Sequence, residues 1–199
     1  MKKTKLLLVA ILAVILAFML VSCSADKSGR KELADMMFSQ YTAEVDFLFE
    51  YGESSVSGTA RVTRGENVRI DILSPDPYSG ISVESDAADN AGIVSISYSG
   101  IRADISKNVL DKISLVLSMF SDTAASAVNC APKGAFLLYE EAYSSDTMPK
   151  VLPYEARFSA GDTEFDYIYD SLTGTPLDMY AKTGNASAQI KIKKFKLQQ

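Results

Sequence analysis

Histidine and tryptophan are absent from the 199 residues of this chain, and only two cysteines are present. A zinc site draws its ligands from a cluster of Cys, His and carboxylate side chains, so the missing histidine argues against zinc. The Ser-His-Asp and Cys-His nucleophile systems are excluded for the same reason. The chain also lacks a G-x-S-x-G nucleophile motif and a glycine-rich loop that would cradle phosphate. We therefore expect no metal, no cofactor and no enzymatic activity.

A long uncharged run stands near the start of the chain. Residues 1–5 are cationic, and Leu6–Val21 follows without a single charged residue. This run is shorter than the ~20 apolar residues that a membrane-spanning helix needs, and its layout is typical of a secretory signal. Ser22 and Cys23 complete a segment, LVSC, that resembles the lipobox of bacterial lipoproteins, in which the cysteine takes a diacylglycerol before cleavage. An uncleaved anchor helix, with Cys23 incidental, is the alternative.

The lipobox predicts three segments. Residues 1–22 form a lipoprotein signal peptide, residues 23–30 form a tether that carries the lipidated Cys23, and residues 31–199 form one domain with its own core. Several acyl chains together, palmitate among them, anchor a protein stably. We therefore expect an exported protein of the cell envelope, on the outer face of the cytoplasmic membrane or on an outer membrane if the cell has one.

The charge balance is acidic. Loss of the signal takes three lysines away, so that 20 basic residues become 17 against an unchanged 25 acidic residues. Nucleic acid demands a basic footprint, so it is excluded as a partner. Membrane contact is expected through the lipid anchor and not through headgroup attraction. Cys130 then has no partner for a disulfide, and we predict that it is a buried small apolar residue.

The spacing of hydrophobic residues predicts the secondary structure. Lys31–Tyr41 and residues 108–120 carry apolar positions three or four apart, which predicts two helices. Asp26 or Ser28 is expected to cap the first of them. Elsewhere apolar and polar residues alternate over short stretches between glycine-bearing turns, which predicts nine or ten strands in an antiparallel meander.

Three further segments carry local predictions. Residues 121–134 are rich in small side chains and are predicted to form a loop, and residues 135–143 are ambiguous between helix and strand. In the last strand Phe195 is out of phase with Ile192. One extra residue would restore both to one face, so we predict a β-bulge near Lys193-Lys194.

Four carboxylates alternate along one late segment, namely Asp162, Glu164, Asp166 and Asp170. Alternation in a strand places them on one face. We interpret them as a solvated strand face rather than as a calcium or glycosidase site, because calcium loops need oxygens at tight turn spacing.

One segment carries a specific pattern: a glycine-led strand, a basic turn, an arginine-bearing strand and then Ser-Pro. The positions are Gly58, Arg64, Arg69 and Ser74-Pro75. In this pattern, and in the order of hairpins, helix and late strand that follows, the chain resembles the LolA/LolB-like lipoprotein-carrier superfamily. The similarity extends over most of the predicted domain.

This resemblance implies a mainly β, α+β fold, a half-open antiparallel β-barrel with helices covering its concave face. It also implies an apolar interior that takes lipid acyl chains. A chain that is itself a lipoprotein looks more like the membrane-anchored LolB-type acceptor than the soluble carrier. Anchored relatives in Gram-positive bacteria include mycobacterial lipid carriers and the clostridial germination lipoprotein, which is said to bind a cell-wall amidase.

Two functions are therefore open. The first is non-enzymatic binding of a lipid or other apolar ligand, driven by burial of its methylenes. The residues expected to line the cavity are Phe47, Phe49, Ile70, Ile72, Ile96, Phe158, Tyr167 and Met179, with Ile113 and Leu117 on a covering helix. The alternative is a protein-binding module with a filled core that docks an envelope or cell-wall enzyme. A third reading, an envelope hydrolase, is opposed by the missing histidine.

Overall fold

A curled antiparallel sheet dominates the structure, which is a computed structural model that describes residues 28–88, 92–107, 111–139 and 151–198. Within those ranges the chain forms eleven strands, three α-helices and one short 3-10 turn. The strands are β1 (Tyr41–Tyr51), β2 (Ser54–Arg64), β3 (Asn67–Ser74), β4 (Ser82–Asp86), β5 (Ile93–Tyr98), β6 (Ile101–Ser106), β7 (Phe136–Leu138), β8 (Pro153–Ala160), β9 (Thr163–Asp170), β10 (Pro176–Thr183) and β11 (Ala186–Leu197). The helices are α1 (Arg30–Phe38), α2 (Asp111–Ser118) and α3 (Asp122–Cys130), and the 3-10 turn is Lys133–Ala135.

All eleven strands belong to one sheet. Their order is β6-β5-β4-β3-β2-β1-β11-β10-β9-β8-β7, so the first and last strands of the chain pair at its centre. The predicted alternation is confirmed, and the additional strand is the three-residue β7 within the ambiguous segment. The predicted bulge is confirmed too: Glu44 of β1 pairs with Lys194 but Val45 pairs with Ile192, which leaves Lys193 as the extra residue.

The sheet curls around helix α2, which contacts β3, β10 and β11. Four strand spacings separate β3 from β10, or roughly 19 Å in a flat sheet. A helix with its side chains is only about 10–12 Å across, so it reaches both strands only if the sheet bends toward it. Since β6 and β7 stay unpaired with each other, the barrel is half open. The predicted architecture, with helices on the concave face, is confirmed.

The described residues share one continuous core. The concave face of the sheet, α1, α2 and α3 all contribute buried side chains to it. Because residues 24–199 include all of this core, they are the segment used for the measurements in solution that follow. Among the helices that the structure describes, none combines the length and the apolar character needed to cross a membrane.

The prediction of a loop at residues 121–134 is wrong, because α3 occupies most of that segment. Ser121 caps the helix, its Oγ accepting a hydrogen bond from the backbone N–H of Ala124 at 3.3 Å. Alanine is the best helix former, and small side chains let α3 pack closely on α1. Ala124, Ala125 and Val128 take the buried face. Cys130 lies on the other side and is exposed, so its predicted burial is also wrong.

Helix α1 begins without the predicted side-chain cap. Gly29 is the N-cap residue, in the left-handed region at φ 69°, and no side chain bonds to the helix end. The expectation for Ser28 is therefore wrong, and Asp26 lies outside the described residues. Position 29 has no room for a side chain, because an added Cβ would lie 2.1 Å from the backbone oxygen of Ser171.

A second glycine makes the matching approach from the β9–β10 turn. A Cβ on Gly174, at φ +72°, would lie 2.0 Å from the backbone oxygen of Glu32 in α1. The backbones of helix and turn therefore touch directly. Glycines 29 and 174 together fix how closely α1 lies against this end of the sheet.

We predict that Gly174→Ala destabilises the domain more than Gly184→Ala does. Both glycines have positive φ, which strains alanine by about 1–2 kcal/mol. Nothing lies within 4 Å of a Cβ at Gly184, whereas Gly174 meets the α1 backbone. The added overlap should raise the loss at Gly174 to about 3 kcal/mol in the free energy of unfolding. Urea denaturation of residues 24–199 measures both, and equal losses would contradict the close approach.

Candidate functional site

An apolar cavity of about 230 Å³ lies inside the curl of the sheet, between β1–β4 and helix α2. Its walls are Val45, Phe47, Phe49, Val56, Ala60, Val62, Ile70, Ile72, Tyr78, Ile81, Val83, Val116 and Ile190. Val56 and Tyr78 are 36% and 45% exposed, so they mark the rim where the cavity meets solvent. The volume is slightly below the ~300–1,000 Å³ of typical small-molecule sites.

Four of the residues predicted to line a cavity lie in its wall: Phe47, Phe49, Ile70 and Ile72. Alternation along β1 and β3 turns each of them toward the concave face. The two strands are not neighbours, and β2 between them contributes only short side chains at this level. Space therefore remains between the phenyl rings on one side and the isoleucines on the other.

Two further predicted residues, Ile96 and Leu117, lie outside the cavity wall. Ile96 is partly buried on β5, where it pairs with Val83 of the wall. Leu117 of α2 is 1% exposed and belongs to the packed core, whereas its neighbour Val116 faces the cavity. Ile113 is within α2, but its side chain lies outside the described part of the structure.

The remaining predicted residues pack in the other half of the curl. Phe158 stacks on Phe165 with ring centroids 5.1 Å apart, and meets Tyr167 edge-on at 5.0 Å. Tyr167 and Met179 are at most 1% exposed. Of the ten predicted residues, four thus line the open cavity on β1–β4, and three others, Phe158, Tyr167 and Met179, lie where aromatic rings fill the interior on β8–β10.

The sequence reasoning did not include several wall residues. Val45, Val56, Ala60 and Val62 carry the same alternation as their neighbours, so the pattern itself contained this signal. Tyr78 is different, because it lies in the loop between β3 and β4, where no periodicity exists to indicate its direction.

A buried arginine fastens the helices above the cavity. Arg64, at the end of β2, is 2% exposed. Its Nε donates to the Phe120 carbonyl at 3.0 Å, and its Nη1 donates to the carbonyls of Phe38 and Ser39 at 2.9 and 3.1 Å. Its Nη2 forms an ion pair with Asp122. One guanidinium therefore joins β2 to the end of α1 and to the α2–α3 connection.

A hydrogen bond from the opposite side of the curled sheet also fixes the α2–α3 connection. The phenol of Tyr167 on β9 donates to the Met119 carbonyl at 2.8 Å. Burial raises the pKa of Tyr167 well above its usual value, so its phenol stays a neutral donor. Residues 119 and 120 are thus tied to β9 and β2, which holds α2 across the concave face.

The four late carboxylates do not form one solvated face. Glu164 and Asp162 are exposed, but Asp170 is 6% exposed and accepts bonds from the Leu152 N–H and the Thr173 hydroxyl. Partial burial and the nearby Glu155 carboxylate raise the pKa of Asp166 to about 6, although Arg157 opposes them. Within the described ranges no group of three or more Cys, Asp and Glu side chains could hold a metal ion.

Comparison with known proteins identifies solved structures that have a similar fold. No protein-family model and no curated protein matches the chain. Similar solved structures include an uncharacterized conserved protein from Thermus thermophilus (TM-score 0.47, 13% identity, 84% of each chain covered). A LolA superfamily protein from Nitrosomonas europaea matches with a TM-score of 0.40 and 10% identity, over 84% of this chain and 91% of that chain. LprF from Mycobacterium bovis matches with a TM-score of 0.41 and 7% identity, over 85% of this chain and 92% of that chain. LolA superfamily structures are thus among the matches, and at these identities the likeness concerns the fold alone.

We predict that Arg64→Met is strongly destabilising. It leaves the carbonyls of Phe38, Ser39 and Phe120 without their donor, and each polar group left buried and unsatisfied typically costs about 1–3 kcal/mol. Arg61→Met is the matched control, because Arg61 forms only an exposed pair with Glu44 at 3.9 Å. That pair is worth about 0–1 kcal/mol. Urea denaturation of both variants provides the comparison.

Arg64→Lys refines this test. Lysine keeps the charge but lacks the planar fork that reaches several acceptors at once. Its free energy of unfolding should fall between those of the wild type and Arg64→Met. An Arg64→Lys protein as unstable as the methionine variant would show that charge contributes nothing here.

Proposed function

We propose that this protein is a membrane-anchored lipoprotein of the cell envelope that holds a lipid or other apolar ligand in the cavity between β1–β4 and α2. The observation that carries the proposal is the cavity itself, an unfilled space with apolar walls that opens to solvent past Val56 and Tyr78. The role requires no proton transfer, metal or nucleophile. It requires only that the ligand's apolar surface leaves water.

The energetics favour an acyl chain. Each methylene that moves from water into the cavity contributes about 0.8 kcal/mol. Ten of them contribute roughly 8 kcal/mol, against an association cost that starts near ~4 kcal/mol. Short chains should therefore bind weakly and longer ones more tightly. With about 230 Å³ available, the cavity suits one chain or part of one, and not the several chains of a whole lipoprotein.

We predict a chain-length series with a plateau. The chain has no tryptophan, so Phe49→Trp places a single fluorescent reporter in the cavity wall. Titration of residues 24–199 with the even-numbered fatty acids from hexanoate to hexadecanoate should shift the tryptophan emission toward shorter wavelengths. Affinity should rise about fourfold per methylene until the cavity is full, and then level off.

Three variants in the Phe49→Trp background control this experiment. Ala60→Phe places a ring in the cavity and should abolish uptake, whereas Ala103→Phe makes the same change on the exposed edge strand β6. Phe47→Ala enlarges the cavity and should move the plateau to longer chains. Unchanged uptake by Ala60→Phe, or no dependence on chain length, would contradict binding at this site.

A second candidate function is docking of a protein partner, which two observations favour. The β8–β10 half of the interior is filled by its own aromatic rings. At the other end of the sheet, none of the described strands lies on the outer side of β6, and Ile101 there is 75% exposed. An edge of this kind accepts an added strand from another chain. If no fatty acid binds, the partner hypothesis becomes the better one, and pull-downs from an envelope extract would follow.

The anchor is tested by replacing each cysteine in turn. Cys23 is the lipidation site of the proposal and lies outside the described residues, whereas Cys130 is exposed on α3. Expressed as the full chain in a bacterium, Cys23→Ser should lose membrane association and the mass of the lipid. Cys130→Ser should keep both. Fractionation and intact mass measure the outcome, and a membrane-bound Cys23→Ser protein of unprocessed mass would favour the uncleaved anchor helix.

A further inference from the structure

A second cavity, of about 510 Å³, lies beside the apolar one and has a different chemistry. Its lining mixes hydroxyl and amide groups, among them those of Ser118, Thr163, Thr183 and Asn185, with apolar side chains such as Leu115 and Phe165. No carboxylate is among its described lining residues, although the chain as a whole is acidic. Its one charged lining residue, Lys107, already has an interaction partner within the protein. We call this cavity the polar groove.

The polar groove and the apolar cavity are neighbours at the same end of the sheet. Phe49 lines the apolar cavity and Tyr51 lines the polar groove, and both lie on the same face of β1. Two residues along a strand span only about 7 Å. Helix α2 stands between the two spaces, with Val116 facing the first and Ser118 facing the second.

The groove can hydrogen-bond to a ligand even where its hydroxyls are already engaged. Ser118 Oγ donates to the Leu115 carbonyl at 2.7 Å, whereas Ser121 Oγ both donates to the Ser118 carbonyl and accepts from the Ala124 N–H. A hydroxyl that donates one bond keeps lone pairs for incoming donors. Such a surface suits a ligand group that carries many hydroxyls of its own.

We propose that the polar groove binds the uncharged, sugar-like headgroup of an amphiphile whose acyl chain occupies the apolar cavity. The inference rests on the proposed function and narrows its ligand from any lipid to one with a hydroxyl-rich head. The volume of the groove fits a glycosyl group, since it falls within the ~300–1,000 Å³ of small-molecule sites.

Three probes with the same ten-carbon tail distinguish the contribution of the headgroup to affinity from that of the tail. Decyl maltoside, decanoate and decyltrimethylammonium are titrated below their micelle concentrations into residues 24–199 with the Phe49→Trp reporter. Decyl maltoside should bind about fivefold or more tightly than either ion, because one or two net hydrogen bonds are added. Equal affinities for the three probes would overturn the headgroup site while leaving the apolar cavity in place.

A paired substitution tests the groove itself. Thr163→Val with Thr183→Val removes two hydroxyls but keeps the shape and the β-branching that strands prefer. Affinity for decyl maltoside should fall about fivefold, and affinity for decanoate should not change. Thr63→Val, on the outer face of β2, is the matched control and should change neither. Unaltered maltoside binding by the double variant would overturn the inference, and failure of all three probes to bind would overturn the proposed function with it.

Discussion

The buried guanidinium of Arg64 is the constraint on which the arrangement above the sheet depends. Arginine does not lose its proton in proteins, so burial of its charge must be matched by acceptors. The acceptors here are carbonyls at the end of α1 and in the α2–α3 connection, which lie beyond the regular helical bonds. One charge on β2 therefore determines where two separate segments end. Helix α2 leads directly into the α2–α3 connection. The position of the Arg64 side chain therefore also sets the position of α2, the helix that covers the cavity.

Side-chain length then decides which half of the curl is empty. Around the cavity, β1 and β2 contribute Val45, Ala60 and Val62, which are too short to reach across to α2. On β8 and β9 the equivalent interior positions carry Phe158 and Tyr167, whose rings pack on one another. The apolar cavity therefore lies open along β1–β4, whereas these rings fill the corresponding interior positions on β8 and β9. A protein interior is otherwise close-packed, so this difference is the main structural distinction within the domain.

The sequence predicts the features that depend on neighbouring residues, but not those that depend on contacts between residues far apart in the chain. Strand faces and the bulge at Lys193 follow from neighbouring residues, and both were predictable. Helix α3 was missed because a run of small residues reads equally well as a loop when its partner α1 is unknown. Phe158 and Phe49 have the same local pattern, yet only Phe49 faces the cavity. The position at which α2 crosses the sheet decides which of the two phenylalanines faces the cavity. That position depends on contacts between residues far apart in the chain.

An unfilled apolar space is expensive for a fold of this size. Cavities created by truncation destabilise proteins by about 24 cal/mol per Å³, which for about 230 Å³ gives an upper bound of about 5.5 kcal/mol. Typical domains are stable by only ~5–15 kcal/mol. The side chains at Ala60 and Val62 are small enough that larger ones could have filled the space. A ligand tail would supply the missing contacts, and the hydroxyl-lined groove next to it would supply hydrogen bonds to a polar head. The two spaces together match the two chemical halves of one amphiphile better than either matches a molecule of uniform polarity.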